Sequence, residues 1–192
     1  MGRSSRVTRE TAIEVDITID GNGLSEIDTG IGFLDHMLAI FARHGFFDLR
    51  VSCKGDLHVD YHHTVEDTGI TLGLALRQAV GDKSGIRRYG FASIVHDDAW
   101  VLVSLDFSDR PFLECEADQL LGTSCPIDRE LLVEFLRGFA NSCGITVHVK
   151  VMRGMNGHHI VEAVFKALAR ACDEALKLDE RLSGVLSTKG VL

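Results

Sequence analysis

One short phrase occurs twice in this chain. His62-His63-Thr64-Val65-Glu66-Asp67 returns as His158-His159-Ile160-Val161-Glu162-Ala163, 96 residues later in a chain of 192. A repeat at half the chain length restricts the fold to two copies of one unit, each with an apolar face to bury. Each copy opens a stretch with helical spacing. Positions i, i+3 and i+4 share a helix face, so each glutamate stands beside its own histidine pair. Adjacent histidines diverge by about 100° on a helix of 3.6 residues per turn, which sends neighbouring rings to two different ions. A lone H-H-x-x-E arises by chance on many surfaces. Two copies in one register, each at a helix start, point to metal binding. Imidazole with carboxylate suits Zn, Mn, Fe, Co or Ni, and does not suit Ca or Mg alone.

Around the repeat, the sequence predicts a regular order of elements. Arg6 to Asp20 alternates polar and apolar residues and reads as one half-buried strand. Gly21-Asn22-Gly23 reads as a hairpin turn into a second strand, Leu24 to Asp28. A helix follows from Ile31 to His44 and is stopped by Gly45. Asp48 to Cys53 is a strand, Leu57 to Asp60 a short extended stretch, and Thr64 to Val80 the first His-His helix. The second half gives strands at Phe91–His96, Trp100–Phe107 and Phe112–Glu116. A helix at Asp128–Ser142 starts on a capping aspartate. A strand at Ile145–Met152 and the second His-His helix, His158–Leu176, complete it. At the 96-residue offset Leu49 and Val51 fall on Ile145 and Val147, so the strand before the helix repeats too. The expected fold is α+β: a duplicated ββαβα unit, each half a sheet of up to four strands with two helices on one face. The halves are expected at 1–90 and 91–192, in one compact unit without a linker, the second ending in a substrate-binding tail.

Composition narrows the partners. The formal charge of −8 argues against nucleic acid or an anionic membrane as partner, since both need basic patches. It leaves room for a small anion held by a few arginines. Five cysteines without a C-x-x-C read as reduced thiols, and no signal peptide or long apolar run is seen, which leads us to expect a cytoplasmic protein. Taken singly, Arg88, Arg110 and Lys189 are surface charges. With Ser187 and Thr188 they match the oxygens of a phosphate. There is no Walker loop and no G-x-G-x-x-G, which argues against a nucleotide. His36, on an apolar helix face, stands between core histidine and ligand. Its second-half counterpart is Glu134, two residues from the 96-residue offset. Glu10 by itself reads as part of a solvated strand face, and His44, His58, His96 and His148 as structural or surface residues.

Six stretches in register carry a family resemblance. They are Gly32-Phe33-Leu34-Asp35-His36-Met37-Leu38, the first His-His phrase, Gly85-Ile86-x-Arg88-Tyr89-Gly90, Asp109-Arg110-Pro111, Gly154-x-Asn156-x-His158-His159-Ile160-x-Glu162-Ala163 with Phe165-Lys166-Ala167, and Ser187-Thr188-Lys189-Gly190. From about Arg6 to the C-terminus the chain resembles the imidazoleglycerol-phosphate dehydratases of histidine biosynthesis. The resemblance implies a duplicated α/β unit, a homo-oligomer of 24 chains with sites between subunits, and two Mn²⁺ ions per site. It implies His36, His62, His63, Glu66, Glu134, His158, His159 and Glu162 as metal ligands, and Arg88, Arg110, Ser187, Thr188 and Lys189 as the phosphate grip. It implies Glu10, with Glu66 and Glu162, as the catalytic carboxylates, and a substrate that also contacts His36, both histidine pairs and Glu66. Two positions depart from the family pattern. Glu134 stands where many members have histidine, and Asp109 stands where the family usually has glycine.

The chemistry of such a reaction explains the residue types. Water must leave a glycerol phosphate side chain on an imidazole, and the proton to be lost sits on a carbon with no neighbouring carbonyl. Two cations on the two ring nitrogens would favour imidazolate, as a bound metal lowers the pKa of water. A carboxylate such as Glu10 can then move protons to and from carbon, while the phosphate contacts position the substrate. Two other readings share parts of this pattern. A two-metal hydrolase would need a metal-bound water as nucleophile, and a cage-forming metal-binding protein would tolerate loss of Glu10 and Arg110.

Overall fold

The computed structural model describes all 192 residues, Met1–Leu192. The first half runs β1 (Gly2–Val7), β2 (Thr11–Thr18), β3 (Ser25–Asp28), α1 (Gly32–Gly45), β4 (Asp48–Gly55) and α2 (His62–Val80). The second runs β5 (Tyr89–His96), β6 (Ala99–Asp106), β7 (Phe112–Glu116), α3 (Arg129–Cys143), β8 (Thr146–Arg153) and α4 (Gly157–Leu176), with one 3₁₀ turn at Asp118–Leu120. Each half forms a four-stranded sheet, in the orders β1-β2-β4-β3 and β5-β6-β8-β7. The duplicated α+β architecture is the one expected, with the fourth strand present in both halves.

The alternation in the strands makes one face of each sheet apolar. Ile13, Val15 and Ile17 on β2 bury beside Leu49, Val51 and Cys53 on β4; Val101, Val103 and Leu105 on β6 bury beside Val147, Val149 and Val151 on β8. Each covered face is backed by its own two helices. The helices of the two halves then pack on each other, α2 on α3 and α1 on α4, and fifty buried apolar residues form one continuous core. The α2–α3 crossing is close. A Cβ on Gly69 would stand 2.4 Å from the Phe135 carbonyl oxygen, and one on Gly73 2.5 Å from that of Phe139. Only hydrogen at these positions lets the backbones approach so near.

Three local expectations are corrected. The alternating run from Arg6 to Asp20 is not one strand. It breaks at residues 8–10, where Thr8 Oγ1 accepts the N–H groups of Glu10 and Thr11, and β1 and β2 pair antiparallel across that turn. Gly21-Asn22-Gly23 is not a hairpin. β3 passes beyond β4 and pairs with it in parallel. Asp48 accepts the N–H groups of Asn22 and Leu24 and holds this crossing loop. Leu57 to Asp60 is a turn rather than an extended stretch; the fourth strand of the first half is β1.

The repeat also has two offsets. The helices recur at about 96 residues, but the first three strands recur at 87 or 88, Gly2 to Tyr89, Thr11 to Ala99 and Ser25 to Phe112. The cause is one connection. Residues 29–31 join β3 to α1, whereas residues 117–128 join β7 to α3. The longer loop hides the strand repeat from a single-offset comparison.

Candidate metal and phosphate site

The first candidate centre is assembled by the packing of α1 on α4. Asn156 caps α4 by accepting the N–H groups of His158 and His159, which fixes the first turn on which both histidines ride. One turn later Glu162 faces back along the helix. Its Oε2 lies 3.1 Å from His158 Nε2 and 3.6 Å from His36 Nε2, which arrives from α1 in the other half. One donor atom from each of the three lies within 4.8 Å of the others. Phe33 stands edge-on to His158 at 5.1 Å and backs its ring. His36 is therefore not a core histidine: its side chain is half exposed. Its neighbour Asp35 is structural, accepting the N–H and hydroxyl of Thr29 at the head of α1. Two imidazoles and a carboxylate at this spacing fit a divalent transition metal.

Glu162 is nearly buried, at 8% exposure, and its other oxygen is also engaged. Oε1 lies 2.7 Å from Lys166 Nζ and 3.4 Å from His96 Nε2. Burial alone would raise this carboxyl, but the Lys166 ammonium and the rings of His96 and His158 outweigh it and hold the group below its ordinary value.

A second cluster surrounds His159. Its Nδ1 lies 2.6 Å from Asp98 Oδ1, and its Nε2 faces Asp97 at 3.6 Å. His96 stands edge-on against it at 5.0 Å, and His96, Asp97 and His159 also present three donor atoms within 4.8 Å. Asp98 sits in the β5–β6 turn and accepts the N–H groups of Met155 and Asn156 as well. The His159 ring and these two amides keep its carboxyl well below the usual range.

The first His-His pair lies on α2. His62 Nε2 is 3.7 Å from Glu66, and His63 Nε2 is 3.8 Å from Glu10, which projects from the β1–β2 turn. His63 Nδ1 lies 2.9 Å from Asp56 Oδ2, and this pairing raises the His63 pKa. Glu134 on α3 pairs with Arg137 in the following turn. Within one chain His62, His63, Glu66 and Glu134 join no group with His36, His158 or His159.

The remaining expected residues share a cleft of about 980 Å³ between the loop after β6 and the C-terminal tail. Arg88, Ser108, Arg110, Ser187, Thr188 and Lys189 all line it. Arg88 is pinned, donating to both oxygens of Asp106 at 2.6 and 3.0 Å and to the Leu186 carbonyl at 2.6 Å, so it ties the tail to β6. Arg110 remains mostly exposed at its tip. Asp109 makes no ion pair with Arg110. It pairs with Arg77 at 3.0 Å and with the buried Lys83 at 2.5 Å, and its φ of +55° is in the left-handed region, which aspartate tolerates better than most residues.

Reading the sequence missed Asp56, Asp97, Asp98, Asp106 and the place of His96. Lys166 carried a signal, four residues after Glu162 on one helix face. Asp98 and His159 are sixty-one positions apart, and no periodicity links them.

The comparisons with known proteins agree with one another. A sequence profile described as imidazoleglycerol-phosphate dehydratase matches residues 29–172. The imidazoleglycerol-phosphate dehydratase of Ruminiclostridium cellulolyticum is 54% identical over 191 residues, covering 100% of this chain and 98% of its own. That of Acetivibrio thermocellus is 54% identical over 188 residues, covering 98% and 96%. Among solved structures, IGPD from Pyrococcus furiosus superposes with a TM-score of 0.86 at 42% identity, covering 98% of this chain and 99% of that one. The Staphylococcus aureus imidazoleglycerol-phosphate dehydratase gives 0.80 at 34% identity, covering 93% and 100%.

Proposed function

The chain belongs to the imidazoleglycerol-phosphate dehydratase family, carbon–oxygen lyases of histidine biosynthesis, and from that premise we propose how its residues divide the work. The substrate is imidazoleglycerol phosphate and the product imidazoleacetol phosphate. The observation that carries the proposal is the His36–His158–Glu162 set, built across the two halves and fitted in chemistry and spacing to a transition metal.

We assign two Mn²⁺ ions to each active site, with His36, His62, His63, Glu66, Glu134, His158, His159 and Glu162 as the ligand set. When bound, the ions supply Lewis acidity to the two nitrogens of the substrate's imidazole and favour its imidazolate form. The chain's own groups do the rest. Arg110, Arg88, Ser187, Thr188 and Lys189 hold the phosphate end in the tail cleft and fix the distance of the reacting carbons from the histidine clusters. Glu10, exposed at the β1–β2 turn and close to His63, moves the proton at carbon. Glu66 and Glu162 hold the charge at the reacting end.

One chain does not bring the α2 ligands to the α4 ligands, which supports a site completed by a second copy. An outward apolar strip on the second sheet supports the same reading: Val95 and Trp100 lie opposite each other, with Phe91 nearby, at 71%, 38% and 60% exposure. The assembly we propose is a homo-oligomer of 24 chains in the cytoplasm. No helix is long and apolar enough to cross a membrane.

The test is an assay of metal-stripped protein on imidazoleglycerol phosphate, with and without Mn²⁺, and with Glu10→Gln in parallel. Mn-dependent formation of imidazoleacetol phosphate, lost in the variant, is the expected result. Phosphate release, or turnover unchanged by Glu10→Gln, would refute the assignment.

A further inference from the structure

The second histidine of each pair is treated differently from the first. His63 and His159 each turn Nδ1 onto an aspartate, Asp56 at 2.9 Å and Asp98 at 2.6 Å. The first histidines, His62 and His158, have no carboxylate on Nδ1; each faces its own glutamate with Nε2. An ionised carboxylate only accepts, so the proton of the neutral His63 and His159 rings must sit on Nδ1. Their Nε2 atoms are left as lone-pair donors, 3.8 Å from Glu10 and 3.6 Å from Asp97, beyond hydrogen-bond distance.

The two aspartates are not related by the sequence repeat. Asp56 comes seven residues before His63, in the turn after β4, whereas Asp98 comes from the β5–β6 turn, 61 residues before His159. Two unrelated loops thus deliver the same hydrogen bond to the same ring atom. Asp56 makes no other side-chain hydrogen bond, and its Oδ1 is buried without a partner. A carboxylate held in this way is spent on the histidine alone. Asp98 is instead fixed by two amides at the entry to α4.

We propose that Asp56 and Asp98 are positioning residues that lock His63 and His159 in the tautomer whose Nε2 binds metal. They fix ring orientation and raise ligand basicity. The inference rests on the metal site proposed above. It adds a division of labour: within each pair, one histidine is aimed by a glutamate on its own helix and the other by an aspartate from a loop.

Mn²⁺ titration of the metal-stripped full chain, by calorimetry or competition with a chelating dye, tests this on wild type, Asp56→Ala and Asp56→Asn. Wild type binds two classes of ion. Asp56→Ala weakens one class by about 10- to 100-fold and leaves the other, the range seen for lost outer-shell partners of ligating histidines. Asp56→Asn, which still accepts from Nδ1–H, recovers part of that loss. The melting temperature of the metal-free protein stays at the wild-type value in both variants. Asp98→Asn against Asp98→Ala repeats the affinity comparison for His159, without the melting-temperature condition, because Asp98 also accepts the Met155 and Asn156 amides. Equal affinities in all three proteins overturn the proposal. So does an equal loss in the Ala and Asn variants accompanied by a lowered metal-free melting temperature, since that marks a fold defect. A wild type that takes up no Mn²⁺ refutes instead the metal reading on which the proposal stands.

Discussion

Gly69→Ala adds one methyl group to α2 at its crossing with α3, and the structure sets its cost. The added carbon would lie 2.4 Å from the Phe135 carbonyl oxygen, a backbone atom that cannot swing aside. Ordinary contacts begin at 3.4 Å, so the helices must part locally. A gap of about 0.5–1 Å forfeits a quarter to a half of the attraction of each contact it opens. Overpacking by this much, against a backbone atom, costs about 2–3 kcal/mol, the upper part of the usual range. Alanine's better helix propensity returns about 1 kcal/mol. The net expectation is a loss of about 1–2 kcal/mol, which for a chain of this size lowers the melting temperature by roughly 2–8 °C. Gly32→Ala is the control. Gly32 also lies in a helix, but nothing stands within 4 Å of its added Cβ, so its effect stays within about 1 kcal/mol and is neutral or stabilising. The assay is calorimetric or urea unfolding of the metal-free proteins at one fixed protomer concentration, because assembly shifts apparent stability. A Gly69→Ala protein as stable as wild type would refute the argument that this crossing has no room.

Four further outcomes follow from the same contacts. Asp109→Ala strands the buried Lys83 ammonium and destabilises the protein by about 3–5 kcal/mol in urea unfolding, while Asp109→Asn, which keeps the shape, costs less. Glu162→Gln removes the charge that faces His36 and His158, and Mn²⁺ binding at that set falls by at least tenfold in a direct titration. Asp98 and Glu162 both have folded pKa values below their ordinary ones, so their stabilisation is complete above about pH 4 and is lost as pH falls through the folded values; melting temperatures of metal-free protein between pH 3 and 7 should drop at the acid end, and less steeply in Asp98→Asn. Burial pushes the thiols of Cys53 and Cys143 up to about 11 and about 12, so iodoacetamide at pH 8 leaves both unlabelled in the native protein by mass spectrometry and labels them after unfolding.

What the sequence disclosed was local or periodic. The four helices and β4, β6 and β8 follow from spacing, since burial on one face leaves a pattern within a few residues. The break after Val7 was hidden because Thr8, Arg9 and Glu10 keep the alternation going while a threonine hydroxyl turns the chain. Gly21-Asn22-Gly23 has hairpin chemistry, yet Asp48 draws the loop past β4 and the strand enters in parallel. At the site, the doubled His-His-Glu phrase was plain because helix geometry forces those residues together. His96 was passed over as a lone histidine; only the packing of the β5–β6 turn against α4 puts it beside Glu162 and His159. Asp56 and Asp98 escaped for the same reason, as loop residues whose partners are set by tertiary contact.

The meeting of His36 with His158 and Glu162 has a consequence for the independence of the halves. Neither half owns all three donors: one supplies a single imidazole, the other an imidazole and a carboxylate. A chain cut in the connection between α2 and β5 would yield two pieces, each with its own sheet and its own His-His-Glu phrase. Neither piece alone could assemble the three donors. Mixed together, the pieces should take up metal at the proposed set only as fast as α1 finds α4, so metal uptake would act as a clock for their reunion.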